Sequence, residues 1–250
     1  MGFTYVVADI HGCAEEYFAL LEKIHFSQED ELFVLGDAMD RGPEPIKVIE
    51  SLMQRENVYY ILGNHDAMFL EVLRRLMVEL SEDNANALTG EDFLTYFDYI
   101  QNGGEETLRQ FRRLPPHRQA DIRDYLESSP AYETIEHDGN LYILTHAGID
   151  NFDSGKELDE YELKDFLWGR PDYERKYFPG NRIFLVTGHT PTSTIRKDKC
   201  PLVYRDYNHI AIDCGCVFGG NLAAYCVETG AATYVASRNR KNRGPAFAVC

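Results

Sequence analysis

The chain has no long apolar run and no excess of positive charge. None of its 250 residues lies in a stretch approaching the roughly 20 uninterrupted apolar residues that a membrane-spanning helix needs. Its formal net charge of -16 argues against a nucleic-acid binder, because such a protein needs a basic face to neutralise phosphates. We therefore expect neither a membrane nor a nucleic acid as its partner.

Cysteine is sparse and irregularly spaced. The six cysteines form no disulfide framework and no paired CxxC motif, so we expect reduced thiols. Cys214 and Cys216 form a lone CxC, which is weak evidence for a metal site. The residues before the first apolar stretch, which begins at Phe3, show no signal-peptide pattern, so we expect a cytoplasmic protein.

Strand-like and helix-like patterns alternate through the first 80 residues. This alternation is typical of parallel βαβ units. The predicted strands are Phe3–Ala8, Glu31–Leu35 and Val58–Leu62, and the predicted helices are Ala14–Ile24, Glu44–Met53 and Ala67–Glu79.

The pattern changes twice after residue 80. Residues 80–129 are polar and helical in character, and Asn102-Gly103-Gly104 interrupts them, so we expect a helical insertion over the core. After Pro130 strands dominate, with a helix predicted over Leu158–Trp168 and hairpin turns at Asp138-Gly139 and Thr229-Gly230. The later predicted strands are Tyr132–Glu136, Asn140–Thr145, Arg182–Thr187, His209–Ile212, Leu222–Glu228 and Ala232–Ala236. Together these features predict one α/β domain over residues 1–250, a mixed β-sheet sandwich flanked by helices.

Polar groups of the metal-ligand type follow five of the predicted strands. In α/β sheets, ligands bind at the carboxyl ends of strands. Aspartate, histidine and asparagine together suit Mn, Fe or Zn, and six such residues exceed what one four-coordinate catalytic ion uses. Two ions sharing one carboxylate are therefore expected. The candidate ligands are Asp9, His11, Asp37, Asn64, His146 and His189.

Each candidate can also be explained by a structural role without metal binding. Asp9 and His11 could form a helix cap with a surface histidine, and Asn64 and Asp66 are favoured residues at a helix start. A single buried histidine such as His146 is more often hydrogen-bonded than metal-bound. These explanations are reasonable one by one, but all of them would have to apply at five strand ends.

The motifs DIHG, GDAMDRG, GNHD, THAG and GHT, in this order, resemble the metal-dependent phosphoprotein phosphatase family within the calcineurin-like metallophosphoesterases. The NGG segment at 102–104 and the LWGR segment at 167–170 are most similar to small bacterial and bacteriophage serine/threonine phosphatases. The motifs span residues 9 to 189. The segment IDCGC at 212–216 continues the likeness.

The resemblance implies a role for each site residue. One metal is held by Asp9, His11 and Asp37, and the other by Asp37, Asn64, His146 and His189, so that Asp37 bridges them. A hydroxide activated by the two metals attacks phosphorus in line. His65 is the general acid, with Asp40 beside it to raise its pKa. The residues implied to bind the substrate phosphate are Arg41, Arg170 and Asn64.

Three functions are compatible with this pattern. Asp40 favours a serine/threonine protein phosphatase, with activity on phosphotyrosine also plausible, because the symmetrical diadenosine tetraphosphatases typically carry alanine at this position. A bis(5'-nucleosyl)-tetraphosphatase is the alternative, since some bacterial relatives with DRG act on nucleotides. A non-catalytic phosphate-binding scaffold is the third. The metals expected are two divalent ions, with Mn favoured and Fe or Zn compatible.

Overall fold

Two five-stranded mixed sheets form the centre of the fold. The structure is a computed structural model and describes residues 2–76 and 89–239. Within these ranges the strands are β1 (Thr4–Val7), β2 (Glu31–Leu35), β3 (Val58–Ile61), β4 (Tyr132–His137), β5 (Asn140–Thr145), β6 (Ile183–Thr187), β7 (Tyr204–Asp206), β8 (His209–Ala211), β9 (Asn221–Cys226) and β10 (Ala232–Ala236). The first sheet has the order β10-β9-β1-β2-β3 and the second β4-β5-β6-β8-β7.

The two sheets pack face to face through alternate side chains. In β1, Val6 points into the core between the sheets, whereas Tyr5 and Val7 point into the core beneath the helices. In β5, Leu144 meets the first sheet and Ile143 packs on the outer side. Successive strand residues face opposite sides, so both faces of each sheet are buried. The predicted mixed-sheet sandwich is confirmed.

Helices cover the outer faces of the sandwich. The described helices are α1 (Ala14–Lys23), α2 (Pro45–Met53), α3 (Asn64–Leu76), α4 (Gly90–Tyr99), α5 (Glu105–Phe111), α6 (Pro116–Glu127), α7 (Leu163–Leu167) and α8 (Thr192–Ile195). Side chains of α1, α2, α3, α5 and α6 share one core with the first sheet. The short α7 covers the second sheet with Phe166.

Most predicted elements are present, with informative differences at their ends. Helix α3 begins at Asn64 rather than at Ala67, because the Asp66 carboxylate accepts the Gly63 N–H at 2.8 Å and allows the helix to start earlier. The part of that prediction beyond residue 76 falls outside the described residues. The predicted helix over Leu158–Trp168 is instead a 3₁₀ turn followed by α7.

Residues 89–129 pack directly onto the main core. Tyr99 of α4, Leu108 and Phe111 of α5, and Ile122 of α6 are buried in the core that includes α3. Tyr99 and Phe111 both contact the Phe69 ring, with centroids 6.1 and 5.0 Å away. The described part of the predicted insertion is therefore helical and is held by the core below it.

None of the helices in the described residues is long and apolar enough to cross a bilayer. Four cysteines have free thiols, as expected: Cys13, Cys214, Cys216 and Cys226. The expectation of reduced thiols is wrong for Cys200, which is disulfide-bonded.

Candidate metal centre

The carboxyl ends of strands from both sheets meet at one point. β1 and β2 pair in parallel, as do β2 and β3, so the segments after them end at the same edge of the first sheet. β5 and β6 also pair in parallel in the second sheet. This arrangement brings together the side chains that follow these five strands: Asp9, His11, Asp37, Asn64, His146 and His189.

The backbone at this edge is held in an uncommon conformation. Six non-glycine residues at this edge have a left-handed φ of 45° to 65°: Asp9, His11, Asp37, Asp40, Arg41 and His189. Such residues cluster at functional sites because the surrounding fold must compensate for their strain. Here the strain turns successive side chains toward one centre.

Gly63 and Gly188 allow close approach between strand ends. A Cβ at Gly63 would lie 2.2 Å from Asp37 Oδ1, and one at Gly188 would lie 2.2 Å from Asp9 Oδ2. Real side chains do not tolerate such distances, so both positions require glycine. These glycines let the aspartates sit directly against neighbouring strand ends.

Asp37 occupies the middle of the cluster. Its Oδ2 lies 3.6 Å from Nε2 of His11 and 3.6 Å from Nε2 of His146, and its Oδ1 accepts the His65 N–H at 3.0 Å. Burial acts to raise the pKa of Asp37, but the imidazoles of His146, His65 and His11 outweigh it and the pKa lies below its ordinary value. The carboxylate is therefore ionised and faces imidazoles on two sides.

Hydrogen bonds to backbone carbonyls orient two of the imidazoles. His11 Nδ1 lies 2.8 Å from Met39 O, and His146 Nδ1 lies 2.7 Å from Leu35 O. A carbonyl only accepts, so each Nδ1 carries the proton and each Nε2 presents a lone pair to the cluster. Burial lowers the pKa of both histidines, which keeps the rings neutral. Neutral imidazoles oriented in this way are suited to binding a metal ion.

Asn64 and His189 complete the second side of the cluster. Asn64 Oδ1 lies 2.8 Å from His146 Nε2 and 2.9 Å from His189 Nδ1. The His189 N–H donates to Asp9 Oδ2 at 2.8 Å. Burial, and then His146, lower the pKa of His189 to about 3. Because His146 Nε2 is an acceptor, it and the amide oxygen converge as two acceptors, an arrangement that a cation between them stabilises.

Two donor groups suitable for metal ions share Asp37. One consists of His11, Asp37 and His65, and the other of Asp37, His146 and His189, each with ligand atoms within 4.8 Å of one another. Asp9, which accepts the His189 N–H, is also buried, and its pKa is raised well above normal by burial, then by Asp213 and Asp37. The ionised Asp37 carboxylate and the imidazole lone pairs that converge on it match the ligand set of hard and borderline divalent ions.

His65 and Asp40 form a buried pair beside the cluster. His65 Nδ1 lies 2.8 Å from Asp40 Oδ2. Burial acts to lower the pKa of His65, but Asp37 and the hydrogen bond that the ring donates to Asp40 outweigh it and the pKa is raised. Asp40 Oδ1 in turn accepts hydrogen bonds from Tyr99 at 2.5 Å and Thr107 at 2.6 Å.

Sequence reasoning missed this contribution from residues 89–129. Tyr99 ends α4 and Thr107 lies in α5, so the two helices hold Asp40 from above. Gly103 between them accepts the Arg41 N–H at 2.9 Å and has a φ of 101°. The NGG segment was the sequence feature that could have indicated this contact. Its Gly103 allows the insertion to contact the backbone of Arg41.

Asp66 is a second residue whose role exceeds its sequence interpretation. Its Oδ2 accepts from Gly63 N at 2.8 Å, from Asp37 N at 3.1 Å and from the Tyr60 hydroxyl at 2.7 Å. It therefore caps α3, as the structural interpretation held, and also ties α3 to the segment carrying Asp37. Burial and the nearby Asp37 raise the pKa of Asp66 to about 7.

The two arginines differ in position. Arg41 donates to His11 Nε2 and to His65 Nε2, both at 2.6 Å, so its guanidinium joins the cluster to the His65–Asp40 pair. Arg170 is exposed after α7, and its charge contributes to lowering the pKa of His189. Arg41 thus lies inside the site, whereas Arg170 is exposed and acts on His189 through its charge.

This chain is a metallophosphoesterase: the calcineurin-like phosphoesterase family model matches residues 4–236, and the chain belongs to that family. It is 30% identical to the asymmetrical bis(5'-nucleosyl)-tetraphosphatase PrpE of a Geobacillus species, over 88% of each chain. A solved structure assigned provisionally as a diadenosine tetraphosphatase shares the fold, with a TM-score of 0.65, 23% identity and 95% coverage of both chains. So does a Saccharomyces cerevisiae protein serine/threonine phosphatase, with a TM-score of 0.56, 15% identity and coverage of 92% of this chain and 73% of that one. The predicted hydrolase is confirmed, and the family acts with divalent metal ions.

Proposed function

We propose that this metallophosphoesterase hydrolyses bis(5'-nucleosyl) tetraphosphates, and that it cuts them into unequal fragments. The likeness to the asymmetrical tetraphosphatase PrpE over most of both chains carries this proposal. This likeness favours a bis(5'-nucleosyl)-tetraphosphatase, the alternative function that the motifs allow, over a protein phosphatase, which Asp40 had favoured. Alanine in place of Asp40 is typical of the symmetrical tetraphosphatases, so the presence of Asp40 does not count against an asymmetrical one.

The proposed ligands share Asp37, as the two donor groups do, with Asp9 in place of His65 in the first group and Asn64 added to the second. Asp9, His11 and Asp37 would hold one divalent ion, and Asp37 with the three remaining candidates would hold the other. Those three are Asn64, His146 and His189. When bound, two ions lower the pKa of water and neutralise charge on a transferring phosphoryl group. Mn is our first choice, and Fe and Zn fit the same donors.

The proposed role of His65 is to donate a proton to the leaving group. Asp40 accepts from Nδ1, which leaves Nε2 facing the cluster, where Arg41 now donates to it. Arg41 must therefore turn from His65 toward a bound phosphoryl group, whose oxygens a guanidinium binds bidentately. The exposed Arg170 would bind an outer phosphate, and Asn64 would contact the reacting one.

A groove next to Arg41 offers space for the remainder of a long substrate. It has a volume of about 860 Å³ and includes Arg41, Pro43, Arg109 and Arg238 in its lining. This volume is in the range of typical small-molecule sites. A tetraphosphate with one phosphoryl group at the metal centre could extend past Arg41 and place a nucleoside there.

Product analysis tests the proposal directly. Metal-loaded protein is incubated with diadenosine tetraphosphate, and the products are separated by anion-exchange chromatography. We expect equal amounts of adenosine mono- and triphosphate, because the cut separates one phosphate from three. Two molecules of diphosphate would indicate a symmetrical enzyme and would contradict the proposal.

A substrate comparison separates the two phosphatase functions. Under one metal condition, kcat/KM is measured for diadenosine tetraphosphate and for a panel of phosphoserine, phosphothreonine and phosphotyrosine peptides. The proposal expects the dinucleotide to be preferred by at least an order of magnitude. A preference for the peptides would restore the protein-phosphatase function, and the Asp37→Asn variant, which should be inactive on both, controls for contaminating enzymes.

A further inference from the structure

A second group of metal-ligand side chains lies beside the first one. The Sγ atoms of Cys13 and Cys216 and a carboxylate oxygen of Glu16 lie within 4.8 Å of one another. All three residues are buried, with exposed fractions of 5%, 1% and 6%. The group does not include Asp37 or any other residue of the metal centre.

Two segments that are distant in the chain build this group. Cys13 is the N-cap residue of α1, and Glu16, three positions later, lies on the same side of the first turn. Cys216 begins the 3₁₀ turn that follows the segment of Asp213, more than 200 positions along the chain. The tertiary structure therefore pairs Cys216 with Cys13, and the CxC spacing with Cys214 is not what creates the group.

The donor chemistry differs from that of the metal centre. Two sulfur ligands select borderline or soft ions such as Zn²⁺ and Cd²⁺, whereas the Asp, His and Asn ligands around Asp37 also suit harder ions such as Mn²⁺. Glu16 completes a set of three, and one of its oxygens accepts the Arg238 N–H at 2.7 Å, which orients the carboxylate. Oriented ligands with a hydrogen-bonded support are a feature of built metal sites.

The group has a route to solvent. Cys13 and Glu16 both line the groove of about 860 Å³ that also contains Arg41. An ion can reach the ligands from the groove, and water can occupy a fourth position. Zinc commonly binds to three protein ligands with one position open.

We propose that Cys13, Glu16 and Cys216 bind one zinc ion at a site separate from the dinuclear centre. The bound ion joins the segment that follows His11 to the segment that follows Asp213. It thus links the loop that carries His11 to the loop that carries Asp213, whose charge acts on Asp9, and it shares no ligand with the metal centre.

The test uses cadmium as a spectroscopic probe for thiolate ligands. The full chain is saturated with Mn²⁺, kept under a phosphine reductant and titrated with Cd²⁺ while the ultraviolet thiolate-to-cadmium charge-transfer band is recorded. The proposal expects a band that saturates at one equivalent, is lost in Cys216→Ser and is retained in Cys214→Ser. Cys214 is a matched control because it is equally buried, with 2% exposed, and lies outside the group.

Zinc content gives a measurement that does not depend on spectroscopy. After loading with Zn²⁺ and gel filtration, we expect one zinc ion fewer per chain in Cys216→Ser than in the wild type and in Cys214→Ser. If Cys216→Ser does not fold, Glu16→Gln replaces it, and its Cd²⁺ affinity should be at least tenfold weaker. Absence of the band in the reduced wild type, equal zinc content in all folded variants, or loss of the band only in Cys214→Ser would overturn the proposal.

Discussion

His65 Nδ1 lies 2.8 Å from Asp40 Oδ2, and both side chains are almost fully buried. Such a contact fixes the ring and leaves its other nitrogen, Nε2, directed at the metal centre. Tyr99 and Thr107 hold the other oxygen of Asp40. The pair is thus positioned from two sides, by α3 below and by residues 89–129 above.

Replacing His65 should affect substrates according to their leaving groups. An alkoxide needs a proton far more than a nucleotide phosphate does, because its conjugate acid is much weaker. We expect His65→Asn to reduce kcat on a phosphoserine peptide by about 10²–10⁴-fold, the range for general acids, and to reduce it less on diadenosine tetraphosphate. Steady-state kinetics with both substrates measure the difference. Equal losses would indicate that His65 does not protonate the leaving group.

Thr107→Val should disturb Asp40 without changing the volume of the core. The hydroxyl donates to the Asp40 carboxylate and accepts from the Asp40 N–H at 3.0 Å. Loss of a buried hydrogen bond to a charged group costs about 1.5–3 kcal/mol of the free energy of unfolding, measured by urea denaturation. Thr134→Val on the exposed side of β4 is the matched control and should change stability little. A similar change in the free energy of unfolding for both variants would show that the hydrogen bonds between Thr107 and Asp40 do not stabilise the fold.

Gly63→Ala should damage the metal centre, whereas Gly90→Ala should not. A Cβ at Gly63 meets Asp37 Oδ1 at 2.2 Å, but a Cβ at Gly90 has no atom within 4 Å among the residues that the structure describes. We expect Gly63→Ala to shift Asp37 and to weaken Mn²⁺ binding at least tenfold by isothermal titration calorimetry. Gly90→Ala, at the start of α4, should bind metal normally and should be equally or more stable. Normal metal binding by Gly63→Ala would contradict the close packing described here.

Buried His209 should make the protein sensitive to acid. Its Nε2 lies 2.9 Å from Thr187 Oγ1 and its ring stacks on Tyr173, and burial lowers its pKa to about 3. In the unfolded chain the pKa is about 6.5, so the unfolded state binds an extra proton between these values. The contribution of His209 to the free energy of unfolding is therefore fully present above about pH 6.5. It is lost as the pH falls, with a slope of about 1.4 kcal/mol per pH unit.

His209→Gln should remove this contribution. Urea denaturation between about pH 6 and pH 4 gives the free energy of unfolding at each pH. Its slope against pH should be smaller than in the wild type by about 1.4 kcal/mol per pH unit, the effect of one proton. His117→Gln replaces an exposed histidine of α6 and serves as the control, with an unchanged slope expected. An unchanged slope in His209→Gln would mean that His209 titrates normally in the folded protein.

The elements of the fold could be read from local patterns. The strands Glu31–Leu35, Asn140–Thr145 and Ala232–Ala236 have the predicted bounds, since apolar runs bounded by turn residues depend mainly on local sequence. The edge strand β7 was missed because three partly exposed residues carry too little hydrophobic signal. The helix over Leu158–Trp168 was wrong because the capping boxes at Glu157 and Glu162 provide competing local hydrogen bonds.

The convergence of the candidate ligands could be predicted because each comes shortly after a strand, and parallel strands end at the same edge of a sheet. The residue types and glycines in the DIHG, GDAMDRG, GNHD and GHT motifs already specify which groups reach that edge. Their surroundings come from long-range packing: the support of Asp40 by Tyr99 and Thr107, the contact of Arg41 with His65, and the pairing of Cys13 with Cys216. Local sequence sets backbone conformation, but contacts between distant segments depend on how sheets and helices pack, and no short motif records that packing.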